Sequence, residues 1–415
     1  MRVVQLTAYR VKLPLKKEIK HASATRRESE NLVVCVRLEN GITGWGEGVP
    51  RPYVTGESPA GAMQQLAATD LEAQLGKDCH TWEEVFAMCE GFAPVTTAAV
   101  ESSEHCEATA GMLTQEAAEE RGCSANALRC AVELALLDAF GKHWQKPLFE
   151  LTKLYPPAEP IRKEPEQVRY STAITAESSR KEIVSALKMR LFNFHQCKVK
   201  VGFSPEKDAR RLRRIRRILG PGVDIRVDAN EAWPLGEVVE RMSLLKRASI
   251  SSVEQPVAHA EVGGLSDVRQ ELKVPIMLDE SLTGTFDAER AIREGMCDLF
   301  NLRLSKCGGF LACLRLAALA HANGLGYQLG CHPGESGILS AAGRHFACTV
   351  TMIRYLEGSY DRFILQENLT KKHVSFRYSG KAVVIMEPGL GVSVEPQTVH
   401  RLSSEQKNWR WGDVE

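Results

Sequence analysis

Six charged residues between positions 198 and 306 recur with a spacing that invites a chemical reading. Lys198 and Lys200 lie two apart in HQCKVKVGF (195–203), a run that otherwise reads as a strand ending at Gly202. Side chains at i and i+2 project from one face of a strand, so the two ammonium groups are near neighbours and repel. Asp228, Glu254, Asp279 and Lys306 follow Lys200 at intervals of 25 to 28 residues, each at the polar end of a short apolar run. Acids that converge can share a cation, and a lysine whose charge is disfavoured can take a proton. Unrelated surface charges have no reason to keep such an interval.

The interval matches one strand-plus-helix step of a (β/α)₈ barrel. After residue 168 the chain repeats a short apolar strand, polar residues at its end and an amphipathic helix; the strands read as RYSTAI, HQCKVKV, VDIRVDAN, ISSVEQP, VPIMLDES, DLFNLRLSK and GYQLGCH. In such a barrel the C-terminal strand ends meet at one mouth. Three carboxylates gathered there are unfavourable unless they share a hard cation such as Mg²⁺. Three carboxylates and one divalent ion still leave a net negative charge. A carboxylate substrate would be repelled unless Lys198, Lys200 and Lys306 surround it. A lysine ordinarily titrates near about 10.4, and one beside a second ammonium and a divalent ion is expected to fall towards neutrality, where it serves as a base.

The first part of the chain reads differently. Residues 3–13 and LVVCVRL (32–38) read as strands, and Glu39-Asn40-Gly41 turns the second into the returning strand ITGWGEG. Gly44, Gly46 and Gly48 suggest a phosphate loop, but no helix follows directly, so they belong to the hairpin. Residues 59–153 read as helical, with Ser124 expected to cap SANALRCAVELALLDAFGKHW; the piece from Cys79 to Cys123 carries no clear pattern. The tail from 373 to 394 returns to strand-like text around a Ser379-Gly380 turn and is expected to rejoin the first domain.

Composition narrows the functional classes. With 53 basic against 52 acidic residues in 415, net +1, there is no general charge to favour nucleic acid or a membrane surface. DARRLRRIRRILG holds six arginines, yet Leu212, Ile215 and Leu219 share one helical face, so the arginines are expected on the solvated side. The start lacks a signal-peptide apolar core and no apolar run reaches about 18 residues, so a cytoplasmic protein is expected. The twelve cysteines show no C-x-x-C pairs and read as reduced.

As a set, K-V-K (198–200), V-D-A-N (227–230), V-E-Q-P (253–256), L-D-E-S (278–281) and S-K-C-G-G (305–309), with GWGEGVPRPYVTGES near the start and EPGLGV near the end, resemble the enolase superfamily and within it the muconate-lactonizing-enzyme subgroup. The resemblance covers nearly the whole chain. It implies a modified (β/α)₇β barrel under an α+β capping domain, with residues 1–130 as cap, 131–372 as barrel and 373–415 returning to the cap. It implies one Mg²⁺ per site, with Mn²⁺ as alternative, on Asp228, Glu254 and Asp279. Lys200 and Lys306 would be acid/base groups on opposite faces of the substrate, and Lys198 would help stabilise the enolate. Asn230, Glu280 and Glu335 would stand behind these groups. Arg26, Arg51, Tyr53, His332 and Glu357 are candidate substrate contacts. Relatives that epimerise dipeptides carry Asp-x-Asp at the last strand, whereas LEGSYDRF here offers Glu357 and Asp361. The expected reaction removes the proton α to a carboxylate of a small substrate. Isomerisation (racemisation, epimerisation or cycloisomerisation) is preferred over elimination by a dehydratase or an o-succinylbenzoate-synthase-like lyase. A non-catalytic descendant of the fold is disfavoured by the retained charges. A homo-oligomer is expected.

Overall fold

Leu32, Val34, Val36 and Leu38, on one face of LVVCVRL, are all fully buried, whereas on the other face burial falls from Val33 through the half-buried Cys35 to the exposed Arg37. In the computed structural model, which describes residues 1–20, 25–96, 113–175 and 178–411, this run lies in strand β2 (Thr25–Leu38). It pairs antiparallel with β1 (Val3–Lys20) on one side and β3 (Thr43–Gly48) on the other. Gly41, at φ +85°, makes the tight connection. A Cβ at Gly44, Gly46 or Gly48 would collide with the backbone of Ala135, Ala131 or Ala127 respectively. These alanines recur every four residues on the helix Asn126–His143, so a stripe of glycines on the strand meets a stripe of alanines on the helix at backbone contact distance. The three glycines are packing residues, as expected of a hairpin.

The barrel follows. β4 (Val168–Arg169) forms a two-residue antiparallel ladder with β13 (Lys381–Ala382). Beside it, β5 (Thr172–Ile174), β6 (Gln196–Lys200), β7 (Asp224–Asp228), β8 (Ile250–Glu254), β9 (Ile276–Leu278), β10 (Leu299–Leu302), β11 (Gly326–Leu329) and β12 (Ile353–Leu356) form one parallel sheet in sequence order. Seven α-helices alternate with these eight strands. The backbone N–H and Oγ of Ser171 donate to the Leu356 carbonyl at 2.7 and 2.9 Å, bringing the first strand of the curled sheet to the last. On the helix Pro205–Leu219 the apolar face is buried as expected, but Arg211 is not solvated: it is 3% exposed and ion-paired with Glu182 and Asp208. No described helix is long and apolar enough to cross a membrane.

The tail departs from expectation. Residues 373–394 are mostly irregular and contribute only β13. The Ser379-Gly380 turn forms, with φ of +62° and +69°, but docks on the barrel: Arg169 donates to Ser379 Oγ at 2.8 Å, and the Tyr170 N–H to the Gly380 carbonyl at 2.8 Å. The strand that rejoins the first sheet is β14 (Ser403–Arg410), antiparallel to β1 from Gln5↔Arg410 to Arg10↔Glu405.

Ser124 does not cap its helix. The Glu57 carboxylate, distant in sequence, accepts from the N–H groups of Ala127 and Leu128 instead. Glu133 caps the helix Phe310–Ala322 in the same way, and Glu47 accepts from Ser336 and Leu339 at the start of the helix Gly337–Thr349. Acids distant in sequence thus satisfy the free amides at the starts of these helices. The cap sits over the C-terminal strand ends: the Val49 N–H reaches Ser305 Oγ at 2.7 Å, Asn31 reaches the Gly334 carbonyl at 2.9 Å, and Arg121 reaches the Glu280 carbonyl at 3.0 Å.

Candidate active site

Register sets the first geometry. In the parallel ladders Lys200 pairs with Asp228, and Asp228 with Glu254, so these three residues stand side by side at the ends of β6, β7 and β8. Glu254 pairs with Met277, which puts Asp279 two residues further along, on the same side of the pleat as Met277. Lys306 follows the end of β10. Asp228, Glu254, Asp279 and Lys306 are each at most 1% exposed, and Lys198 is 6% exposed.

Lys198 lies among acids. Its Nζ is 3.2 Å from Glu254 Oε1, 3.0 Å from Glu357 Oε1 and 3.3 Å from Asp228 Oδ2. Burial works against its charge, but Glu254, Glu357 and Asp228 outweigh burial and hold its pKa well above the usual lysine value. The groups that face Lys198 Nζ are carboxylates rather than a second ammonium. Lys200 is half-buried and donates to Asn230 Oδ1 at 2.5 Å. Alternation along β6 does place both lysines on one face, and separate acceptors resolve their repulsion.

Asp279 is held on both flanks. Lys306 Nζ donates to its carbonyl at 2.6 Å, to Oδ1 at 3.0 Å and to the Asn301 carbonyl at 2.8 Å, while Arg303 forms an ion pair with Oδ2. Burial raises the Asp279 pKa, and Arg303 and Lys306 more than reverse it, to well below the usual range. Glu254 goes the other way, up to about 8, because burial dominates and Asp228, Glu357 and Asp279 add repulsion against the attraction of Lys198. Among the described residues no three His, Cys, Asp or Glu side chains are gathered as a ready ion cage; Asp279 is drawn to Arg303 and Lys306, and Glu254 to Lys198 and Asn301. The donor chemistry nevertheless fits a hard divalent ion: three buried carboxylates on adjacent strand ends, one of them pushed towards its neutral form by burial and then by the other acids.

Of the supporting residues, Asn230 links Lys200 to Glu280 Oε1 at 3.2 Å, and Glu335 accepts from the His332 N–H at 2.6 Å. Arg51 is buried and donates to the Glu30 and Pro50 carbonyls and to Ser29 Oγ; burial, then the neighbouring Arg26, pushes its pKa down to about 9. Arg26 donates to the Tyr53 hydroxyl at 3.0 Å. His332 is 3% exposed with neither ring nitrogen hydrogen-bonded, and burial keeps it neutral. Glu357, a candidate substrate contact, is tied to Lys198 and to the fully buried Arg226. The space beside His332 and Glu335 is about 10 Å³; a surface cavity of about 470 Å³ between Arg269, Lys273 and Asp298 lies at the opposite strand ends, away from these groups.

Three residues escaped the sequence reading. Gln255, at φ +36°, accepts from the Asp279 and Ser281 N–H groups and donates to Ser281 Oγ, so the glutamine of V-E-Q-P holds the turn of L-D-E-S in place. Arg226 and Arg303 supply buried positive charge. Alternation along NLRLS, with Asn301, Arg303 and Ser305 on one side, carried the signal for Arg303.

Comparison with known proteins places this arrangement. The enolase C-terminal domain-like family model matches residues 178–398. The chain belongs to that family, and with it to the enolase superfamily, in the subgroup that includes muconate-lactonizing enzymes. It is 26% identical over 347 residues to the hydrophobic dipeptide epimerase of Enterococcus faecalis, covering 84% of this chain and 87% of the relative. It is 24% identical over 406 residues to the N-succinyl-L-Arg/Lys racemase of Bacillus cereus, covering 97% and 98%. The solved structure of N-succinyl Arg/Lys racemase from Bacillus cereus superposes with a TM-score of 0.82 at 22% identity, over 99% of this chain and all of that one. A dipeptide epimerase from Cytophaga hutchinsonii, solved with Mg and the dipeptide D-Ala-L-Val, superposes at 0.80 with 24% identity, over 98% and 100%.

Proposed function

We propose that this chain is a Mg²⁺-dependent isomerase that removes and returns the proton α to the carboxylate of a small substrate. The observation that carries the proposal is the order of side chains around the mouth: Lys200, Asp228, Glu254, Asp279 and Lys306 come from five successive strand ends, so two lysines flank three acids. Asp228, Glu254 and Asp279 would hold the ion, which when bound supplies positive charge to the substrate carboxylate. Lys198 Nζ, fixed among Glu254, Glu357 and Asp228, adds a cation at the floor for the charge that develops when the α-proton leaves. Lys200 Nζ takes the proton on one side, and Lys306 Nζ delivers one from the other. Gln255 and Asn230 orient Asp279 and Lys200. Residues 1–130 and 373–415 shape the mouth, and 131–372 carry the chemistry. Arg26, Arg51, Tyr53 and His332 stand on the side from which the distal end of a substrate is read. Relatives named as epimerases, a racemase and a cycloisomerase support an isomerase.

One observation favours elimination as a second reading. All three Lys306 donors are taken by Asp279 and Asn301, whereas Lys200 has the one acceptor Asn230; in a one-sided elimination Lys200 does the proton transfer and Lys306 only stabilises charge. A screen of small carboxylates in D₂O, with mass and chirality readout, tests both. Solvent deuterium at the α-carbon of inverted product is expected, abolished by chelator and restored by Mg²⁺. Full activity in chelated enzyme overturns the metal assignment. An eliminated product with no exchange in recovered substrate replaces the isomerase by a lyase.

A further inference from the structure

We infer that Arg303 competes with the divalent ion for Asp279 and, once displaced, receives an anionic group of the substrate, so that metal and substrate bind cooperatively. The inference rests on the metal-site reading proposed above. Arg303 is 8% exposed, its Nη2 forms an ion pair with Asp279 Oδ2 and lies 3.8 Å from Glu254 Oε1, and its Nε has no hydrogen-bond partner. Two of the three proposed ion ligands therefore face one guanidinium. Asp279 cannot give Oδ2 fully to a metal while Arg303 holds it. Lys306 competes less, since it also holds the Asp279 and Asn301 carbonyls, which a metal on the carboxylate need not disturb.

Displaced from Asp279, Arg303 would be a buried cation without its partner, which is costly unless another anion meets it. Room for the side chain comes from Gly330: a Cβ there would press on Arg303 Cγ at 3.1 Å and collide with Asn301 Oδ1. The surroundings on the cap side are short of negative charge. His332, with both ring nitrogens unpartnered, feels Arg303 and Arg51 as neighbouring charges, and Arg26 lies beside Arg51. Of the acids on that side, Glu47 is held by Asn31, Ser336 and Leu339, and Glu335 already accepts from the His332 N–H and is pushed up to about 8 by burial. With Asp279 and Glu254 given to the ion, Glu280 and Glu357 remain as neighbouring charges, and a carboxylate or comparable anion arriving with the substrate would be the direct partner of the displaced guanidinium. By linkage, whatever stabilises the displaced Arg303 also tightens the ion, and the ion in turn tightens the anion.

Mn²⁺ binding followed by electron paramagnetic resonance, with and without succinate as the probe anion, tests this on wild type, Arg303→Met and Arg303→Lys. Arg303→Met is expected to bind Mn²⁺ alone about tenfold tighter than wild type, within the range typical of such couplings, and to be indifferent to succinate. In wild type succinate should tighten Mn²⁺ severalfold, and Arg303→Lys, which keeps the charge, should resemble wild type. Damage to the fold would weaken the ion rather than tighten it. Equal or weaker Mn²⁺ binding in Arg303→Met overturns the competition, and a wild type indifferent to succinate overturns the hand-over to an anion. A wild type that binds no Mn²⁺ at all overturns the metal-site reading itself.

Discussion

Replacing Glu357 by glutamine separates two roles open to this side chain, contact with substrate and a tie within the barrel floor. Glu357 is 6% exposed and accepts from Lys198 Nζ at 3.1 Å and from Arg226 Nη2. The Arg226 guanidinium, over the Tyr355 ring at 4.5 Å, otherwise donates to Ser171 Oγ at 3.2 Å, and its Nε and Nη1 are unpartnered. Glutamine keeps the shape and removes the charge, leaving a buried cation without its counter-ion, a loss of about 3–5 kcal/mol in comparable cases. Linkage gives a similar size. Burial opposes the charge of Glu357, but Lys198 and Arg226 outweigh burial and hold its pKa at about 2 against an ordinary 4.5. At about 1.36 kcal/mol per pH unit this amounts to roughly 3 kcal/mol at neutral pH. The folded-state pKa is depressed, so the stabilisation is complete above the ordinary value and is lost as pH falls towards the folded one. Urea unfolding of Glu357→Gln at neutral pH should show a lower midpoint at unchanged slope. The gap to wild type should narrow by about 1.4 kcal/mol at a pH of about 3.5. A variant with the wild-type midpoint at neutral pH and a raised KM would refute the tie and return Glu357 to the substrate.

Other substitutions separate chemistry from support. Lys200→Ala and Lys306→Ala should each lose turnover by orders of magnitude. Urea midpoints should divide them, because Lys200 is half-buried with one acceptor whereas Lys306 satisfies three buried oxygens, so only Lys306→Ala should also cost about 2–3 kcal/mol of stability; equal midpoints would contradict the tight hold on Lys306. Gly46→Ala puts a methyl group into the Ala131 backbone and should destabilise by about 1–3 kcal/mol or more, read as a lowered Tm. A wild-type Tm in that variant would mean that strand and helix are not in backbone contact.

What was legible in the sequence is what repeats or alternates. The interval of 25 to 28 residues between charged strand ends pointed to the barrel and collected its acids and lysines at one mouth, and the turn at Gly41 marked the hairpin. Signals that depend on partners far along the chain were not legible. Ser124 has the residue type of a cap, yet Glu57 takes the amides, because a carboxylate accepts from them more strongly than a hydroxyl and the fold delivers it there. The text from 373 to 394 has strand-like composition but lies outside both sheets, with only two of its residues pairing with β4, since β14 already occupies the free edge of β1. Arg211 reads as a solvated helix residue until Glu182 on the preceding helix supplies its counter-ion.

The same limit explains the charges of the site. Residue type and strand position located Lys198, but the direction of its pKa depends on which charges surround it in space, and three carboxylates outweigh burial and the Arg226 charge. Arg226 was invisible as a site residue because an arginine in a strand can face outwards as readily as inwards, and Arg303, whose signal was the alternation of Asn301, Arg303 and Ser305, lies just beyond the end of β10. Inward, each forms an ion pair with an acid of the same mouth, Glu357 and Asp279 respectively. The buried acids are therefore tolerable in this fold through protein cations alone. An ion that binds there must compete with those cations as well as attract the carboxylates, so the affinity of the site for metal is governed by its arginines and lysines as much as by Asp228, Glu254 and Asp279.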